Sequence, residues 1–187
     1  MNIPMFLTYL RILAIPVFGV VYFLPVGWAH TAAAVIFVLA ALTDWLDGYL
    51  ARVLSQATNL GAFLDPVADK LLVAAALVVV VGQHYIHLLS VPAAIIVMRE
   101  IAVSALREWM AEMGKRASVA VGYIGKVKTA VQMIALVLLV WYSPLQSNWL
   151  LWLGSALLCA SAVLTLWSMI VYIKIAWPDL TLQQEKS

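Results

Sequence analysis

Charge is the scarcest commodity in this chain. Only 11% of its 187 residues are Lys, Arg, Asp or Glu, where a water-soluble domain carries about 25%. No charged residue occurs from Ile12 to Thr43, from Leu71 to Met98 or from Thr129 to Ile173, blanks of 32, 28 and 45 residues. With 65% hydrophobic residues, this excludes a soluble globular domain and places the chain in the membrane class. The single cysteine, Cys159, excludes an internal disulfide and reads as a small core residue. Histidine is nearly absent too: His30, His84 and His87 are the only three. Met1–Leu10 lacks the basic segment of a secretory leader, so the start reads as part of the mature chain. No repeat, low-complexity stretch or soluble module interrupts residues 1–187, which read as one membrane domain with no nucleic-acid partner.

A membrane-crossing helix needs about 20 apolar residues, so each blank is longer than one span requires. Turn signals divide them: Pro25-Val26-Gly27, Gly82-Gln83-His84, and Ser143-Pro144 through Ser147-Asn148. The pattern predicts an all-α integral membrane protein with six helices near 6–26, 31–53, 60–82, 89–112, 121–142 and 149–175. Loops after the first, third and fifth helices contain no Lys or Arg, and all eleven basic residues lie nearer the other side. The positive-inside rule then puts both termini in the cytoplasm. All three histidines fall in the outer loops, which argues against a histidine base on the opposite side. Trp28, Trp141, Trp149 and Trp177 lie near span ends, as an interfacial aromatic belt requires.

Against this apolar background stand four aspartates: Asp44, Asp47, Asp65 and Asp69. A carboxylate at mid-membrane costs roughly 2.5–3.5 kcal/mol on insertion scales, so such groups are functional by default. The turn around Ser55–Asn59 joins the second and third helices. Residues equidistant from the turn of an antiparallel pair lie level. Asp44 with Asp69, and Asp47 with Asp65, share midpoints of 56.5 and 56. Both pairs therefore sit at one depth, about 13–18 Å of helix from the turn.

Spacings of three and four put both acids of each helix on one face. Gly48 and Gly61 leave room there for a ligand or a close backbone, and Arg52 is placed to meet a phosphate with its planar fork. Pro66 suggests a kink or restart of the third helix. Clustered carboxylates repel unless cations sit among them, so the arrangement calls for metal. A structural ion-pair cluster would match acids to bases one to one. A proton or divalent-cation pathway accounts for the acids, but not for the glycines and the arginine.

The frame D-x2-D-G-x2-A-R-x8-G-x3-D-x3-D, filled at all eight positions from Asp44 to Asp69, resembles the signature of the CDP-alcohol phosphotransferases. That resemblance implies a six-transmembrane-helix, homodimeric membrane enzyme that moves a phosphoryl-linked group from a CDP-activated donor to an alcohol and releases CMP. It implies that Asp44, Asp47, Asp65 and Asp69 hold two divalent cations, Mg2+ or Mn2+, and that Asp69 is also the general base. It implies further that Gly48, Arg52 and Thr58 hold the cytidine nucleotide, with Gly61 on the same donor side. Two hard cations about 3.5–4 Å apart suit a diphosphate and a leaving CMP.

A second polar concentration runs from Arg99 to Lys128. Arg99 and Arg107, eight residues apart, share roughly one helix face. Basic groups apart from the acidic set suggest an acceptor that is itself anionic, and Arg107, Arg116, Lys126 and Lys128 are the candidates for its phosphate. Lys115, Lys174 and Lys186 read instead as positive-inside loop charges that attract anionic lipid headgroups.

Asn2-Ile3-Pro4 with Leu7-Thr8 and Arg11, Asp65-Pro66-Val67-Ala68-Asp69-Lys70, Arg99-Glu100-Ile101, Ser104 through Glu108, and Gly125-Lys126-Val127-Lys128-Thr129 are similar to the branch of the family that uses sn-glycerol 3-phosphate. The resemblance implies a CDP-diacylglycerol donor, phosphatidylglycerophosphate and CMP as products, and Thr8 and Arg11 near the cytoplasmic mouth. It also implies a multi-pass protein of the bacterial cytoplasmic (inner) membrane, with membrane lipid around it and the active site facing the cytoplasm. Siblings that use serine, inositol phosphate or a second phosphatidylglycerol share the donor frame.

Overall fold

The computed structural model describes residues 3–53, 59–82, 87–112, 123–143 and 148–182. These form six α-helices: α1 (Ile3–Tyr22), α2 (Ala29–Val53), α3 (Asn59–Gly82), α4 (Ser90–Glu112), α5 (Tyr123–Trp141) and α6 (Trp149–Leu182). A 3-10 turn, His87–Leu89, leads into α4. Helix suits so apolar a chain because it satisfies backbone N–H and C=O groups within the segment.

The helix ends follow local chemistry. Pro4 lies in the first turn of α1, where its missing N–H costs nothing. α1 stops at Tyr22 rather than near 26 because the residue before Pro25 is steered away from helical conformation. A tight turn follows, with Leu24 N–H donating to Val21 O at 3.2 Å and Val26 N–H to Leu24 O at 2.8 Å. Pro66 does not restart α3, which runs through it to Gly82. α6 continues to Leu182, past the predicted 175. Its 34 residues span about 51 Å against a hydrocarbon core of about 30 Å, so helix outlasts the apolar run.

The chain divides into two compact units, with boundaries inside α5 and α6. One comprises Met1–His87 and Leu136–Gly154, the other Leu88–Ala135 and Ser155–Ser187. In the first, α1 packs on α2 and α3. Ala29, Ala33 and Ala40 are buried along α2 beside Phe37, and such small residues let helices approach closely. Phe18 of α1 meets the Phe37 ring at 5.9 Å between centroids, and Tyr22 stands edge-on to His30 at 4.8 Å.

The opposite face of α1 is exposed at Leu10, Leu13, Val17 and Val20, up to 67% at Val20. Exposed apolar stripes of this kind suit lipid rather than water. By length and apolarity, Met5–Tyr22 and Trp149–Lys174 qualify as membrane spans among the described residues, and Ala29–Asp44 and Val127–Trp141 are shorter apolar helices. Trp28, Trp141 and Trp149 are exposed near helix ends; the Trp177 side chain lies outside the described residues.

In the second unit Val103, Met110 and Tyr172 are buried together, with Leu106, Trp109 and Met169 packed against them. α6 buries Ser161, Thr165, Ser168 and Tyr172, a run spaced four, three and four that marks one polar face. Ser161 and Ser168 each donate back to the carbonyl three residues earlier, at 3.0 and 2.9 Å, a common way to bury a hydroxyl in a helix. Cys159 is exposed on α6 and not in the core. In a helix facing hydrocarbon, a small apolar side chain incurs no penalty there.

Candidate active site

The acidic residues occupy the C-terminal half of α2 and the N-terminal half of α3. Asp44, Asp65 and Asp69 are half-buried; Gly48 is placed only as part of the α2 backbone, and the side chains of Asp47 and Arg52 lie outside the described residues. Thr58 lies outside them altogether, and Gly61 sits in the first turn of α3.

α1 reaches both helices of this hairpin. Thr8 donates its hydroxyl hydrogen to Asp65 Oδ1 at 2.7 Å. Arg11 forms an ion pair with Asp44 Oδ1 through its Nη1. Both α1 residues are 1% exposed, so the donor side of each bond is shielded from water. Asp44, with its side chain 40% exposed, opens toward solvent instead. The site is therefore not confined to the hairpin that the spacing described, since α1 contributes to it. One acid has a basic partner and another a hydroxyl partner, both from the first helix.

Carboxylate oxygens are hard donors, suited to Mg2+ or Mn2+ rather than to softer metals. The Thr8 and Arg11 bonds each engage Oδ1 of their aspartate. The donors are of the type a hard divalent ion takes, but among the described residues no three of them stand close enough together to hold one.

The second unit holds a cationic cluster built on α4, α5 and α6. Arg99 is 7% and Lys128 3% exposed. Lys128 Nζ donates to Glu100 Oε1 at 2.7 Å, and Arg99 Nη1 donates to the same oxygen at 3.0 Å. Arg99 Nη2 donates to Ser168 Oγ at 2.9 Å. Arg107, whose residue surface is exposed, donates through Nη2 to the Tyr172 hydroxyl at 2.9 Å. The guanidinium carbons of Arg99 and Arg107 lie 5.7 and 5.3 Å from the Tyr172 ring centroid, cation–π distances.

Two cations, Lys128 and Arg99, thus share one carboxylate oxygen, with Arg107 held beside them on Tyr172, an imbalance that favours an added anion. Of the four residues predicted for an acceptor phosphate, Arg107 and Lys128 belong to this cluster. Arg116 and the side chain of Lys126 lie outside the described residues. Glu100, Ser168 and Tyr172 were not among the predicted site residues. The 161/165/168/172 spacing would have marked the last two as one polar face, had hydropathy not dominated the reading of that helix.

The family profile described as CDP-alcohol phosphatidyltransferase matches residues 1–173. The chain belongs to that family. Within it, the chain is similar to proteins of Escherichia coli (strain K12) and Shigella flexneri, each named CDP-diacylglycerol--glycerol-3-phosphate 3-phosphatidyltransferase. Each is 54% identical over 179 residues, covering 96% of this chain and 97% of the relative.

Proposed function

We propose that the protein transfers the phosphatidyl group of CDP-diacylglycerol to sn-glycerol 3-phosphate, giving phosphatidylglycerophosphate and CMP. The observation that carries this reading is 54% identity across nearly the whole chain to relatives bearing that reaction in their name. The completely filled aspartate frame supports it. The chain acts as a six-span domain of the bacterial inner membrane, homodimeric, with both termini and the active site on the cytoplasmic side. The uncharged outer loops support that orientation.

The 1-hydroxyl of the acceptor attacks the phosphorus bearing diacylglycerol. A new P–O bond forms, the pyrophosphate P–O bond breaks, and CMP departs. Asp69 takes the hydroxyl proton. Asp44, Asp47, Asp65 and Asp69 hold two divalent cations, which when bound supply charge neutralisation for the diphosphate. Gly48, Arg52, Thr58, Thr8 and Gly61 seat the CDP head, while Arg107, Arg116, Lys126 and Lys128 bind the acceptor's phosphate. Since little covalent chemistry falls to the protein, positioning and electrostatics account for its part in the rate.

The test is CMP release from CDP-diacylglycerol by the purified protein, with acceptor and cation omitted in turn. Release that needs both sn-glycerol 3-phosphate and Mg2+ or Mn2+ is expected. Release with serine or inositol phosphate in its place would reassign the acceptor. Cation uptake into sealed vesicles without CMP release would make the protein a transporter.

A further inference from the structure

We propose that Glu100 is the positioning residue of the acceptor site, the group that fixes where Lys128 and Arg99 present their charge. This rests on reading the cationic cluster as the site for the acceptor's phosphate. Glu100 Oε1 receives both Lys128 Nζ, at 2.7 Å, and Arg99 Nη1, at 3.0 Å. One oxygen of α4 thereby ties the buried ammonium of α5 to the guanidinium beside it. Arg99 is held from its other side by Ser168 of α6, at 2.9 Å.

A long lysine side chain left without such an anchor samples many rotamers, and ordering it on binding would weaken affinity. Anchored, it is preorganised. The anchor is also incomplete as a neutraliser: Lys128 and Arg99 share a single carboxylate, and Arg99 Nε is buried with no acceptor among the described residues. A phosphate oxygen supplies both the missing charge and an acceptor. A carboxylate serving only to neutralise the helix bundle would leave neither deficit.

The experiment compares Glu100→Gln and Glu100→Asp with the parent protein in the full chain, varying both substrates. Glu100→Gln keeps the shape and removes the charge that holds Lys128. Its KM for sn-glycerol 3-phosphate should rise about tenfold or more, the usual scale for losing charge-assisted bonds. The KM for CDP-diacylglycerol and kcat should stay within about threefold, because uniform binding of one substrate is what is lost. Glu100→Asp, one methylene shorter but still anionic, should fall between the two.

An unchanged acceptor KM in Glu100→Gln, an equal rise in both KM values, or a loss confined to kcat would each overturn the proposal. Should Glu100→Gln not accumulate in membranes, an acceptor KM of parental value in Glu100→Asp overturns it as well. Lys128→Met separates the two levels of the argument. If it leaves the acceptor KM unchanged, the reading of the cluster as an acceptor site fails. If it raises that KM while Glu100→Gln does not, only the role of Glu100 fails. When both hold, adding Glu100→Gln to Lys128→Met should cost far less than it does alone, because the partner it positions is already gone.

Discussion

Thr8 donates its hydroxyl hydrogen to Asp65 across 2.7 Å, joining the first helix to the third over a separation of 57 residues. Because Thr8 is buried, the bond fixes the rotamer of a carboxylate assigned to metal. Thr8→Val keeps the shape and deletes the donor. Hydrogen bonds to charged groups contribute about 1.5–3 kcal/mol, so a Mg2+ titration of CMP release should shift to at least severalfold higher metal. Thr8→Ser should restore most of it. A titration curve superimposable on the parent's would show that the bond organises nothing.

Arg11 and Asp44 make a companion pair between the same first helix and the second. Removing one partner of a buried ion pair leaves an uncompensated charge and costs about 3–5 kcal/mol. Partial exposure of Asp44 reduces its share of that penalty. Arg11→Met should therefore lower the thermal unfolding temperature. Asp44→Asn added to it should recover stability, since no lone charge remains, yet leave turnover abolished. Recovery of turnover together with stability would remove Asp44 from the metal set.

Asp69 carries the proton in the proposed reaction. Asp69→Asn keeps the size and hydrogen-bonding shape but loses the basic oxygen, and should reduce CMP release by at least about 100-fold, the lower scale for general-base catalysis. Binding of CDP-diacylglycerol, read by protection against thermal unfolding, should persist. Turnover near the parental rate would exclude Asp69 as the base.

What the sequence reveals and conceals has a common physical origin. Charge blanks and short polar turns located the helices, because a long apolar run without charge needs its backbone hydrogen bonds satisfied within the segment and ends where polar residues resume. The shared face of Asp65 and Asp69 followed from helical spacing alone. The contacts of Thr8 and Arg11 with the acids did not, since a contact between distant helices leaves no periodic trace. Ser161, Thr165, Ser168 and Tyr172 were concealed differently. They fall within the longest uncharged stretch, where average hydropathy outweighs a polar face only one residue wide. Glu100 stood out only as part of the Arg99-Glu100-Ile101 motif, and the spacing does not indicate that it joins Lys128 to Arg99.

Gly154, buried near the start of α6, marks where backbone approach sets packing in the first unit. A Cβ added there would lie 2.8 Å from Leu139 Cγ and 2.9 Å from its Cδ2. Leu139 is itself 1% exposed, so it has little freedom to yield. Gly154→Ala should therefore destabilise by about 1–3 kcal/mol, as overpacking does, despite the gain in helix propensity that alanine brings on an open surface. Thermal unfolding in detergent measures it, and Leu139→Ala in the same background should return part of the loss by vacating the space. If Gly154→Ala unfolds at or above the parental temperature, α6 is not held against α5 by that close approach. The small residue would then have no packing role.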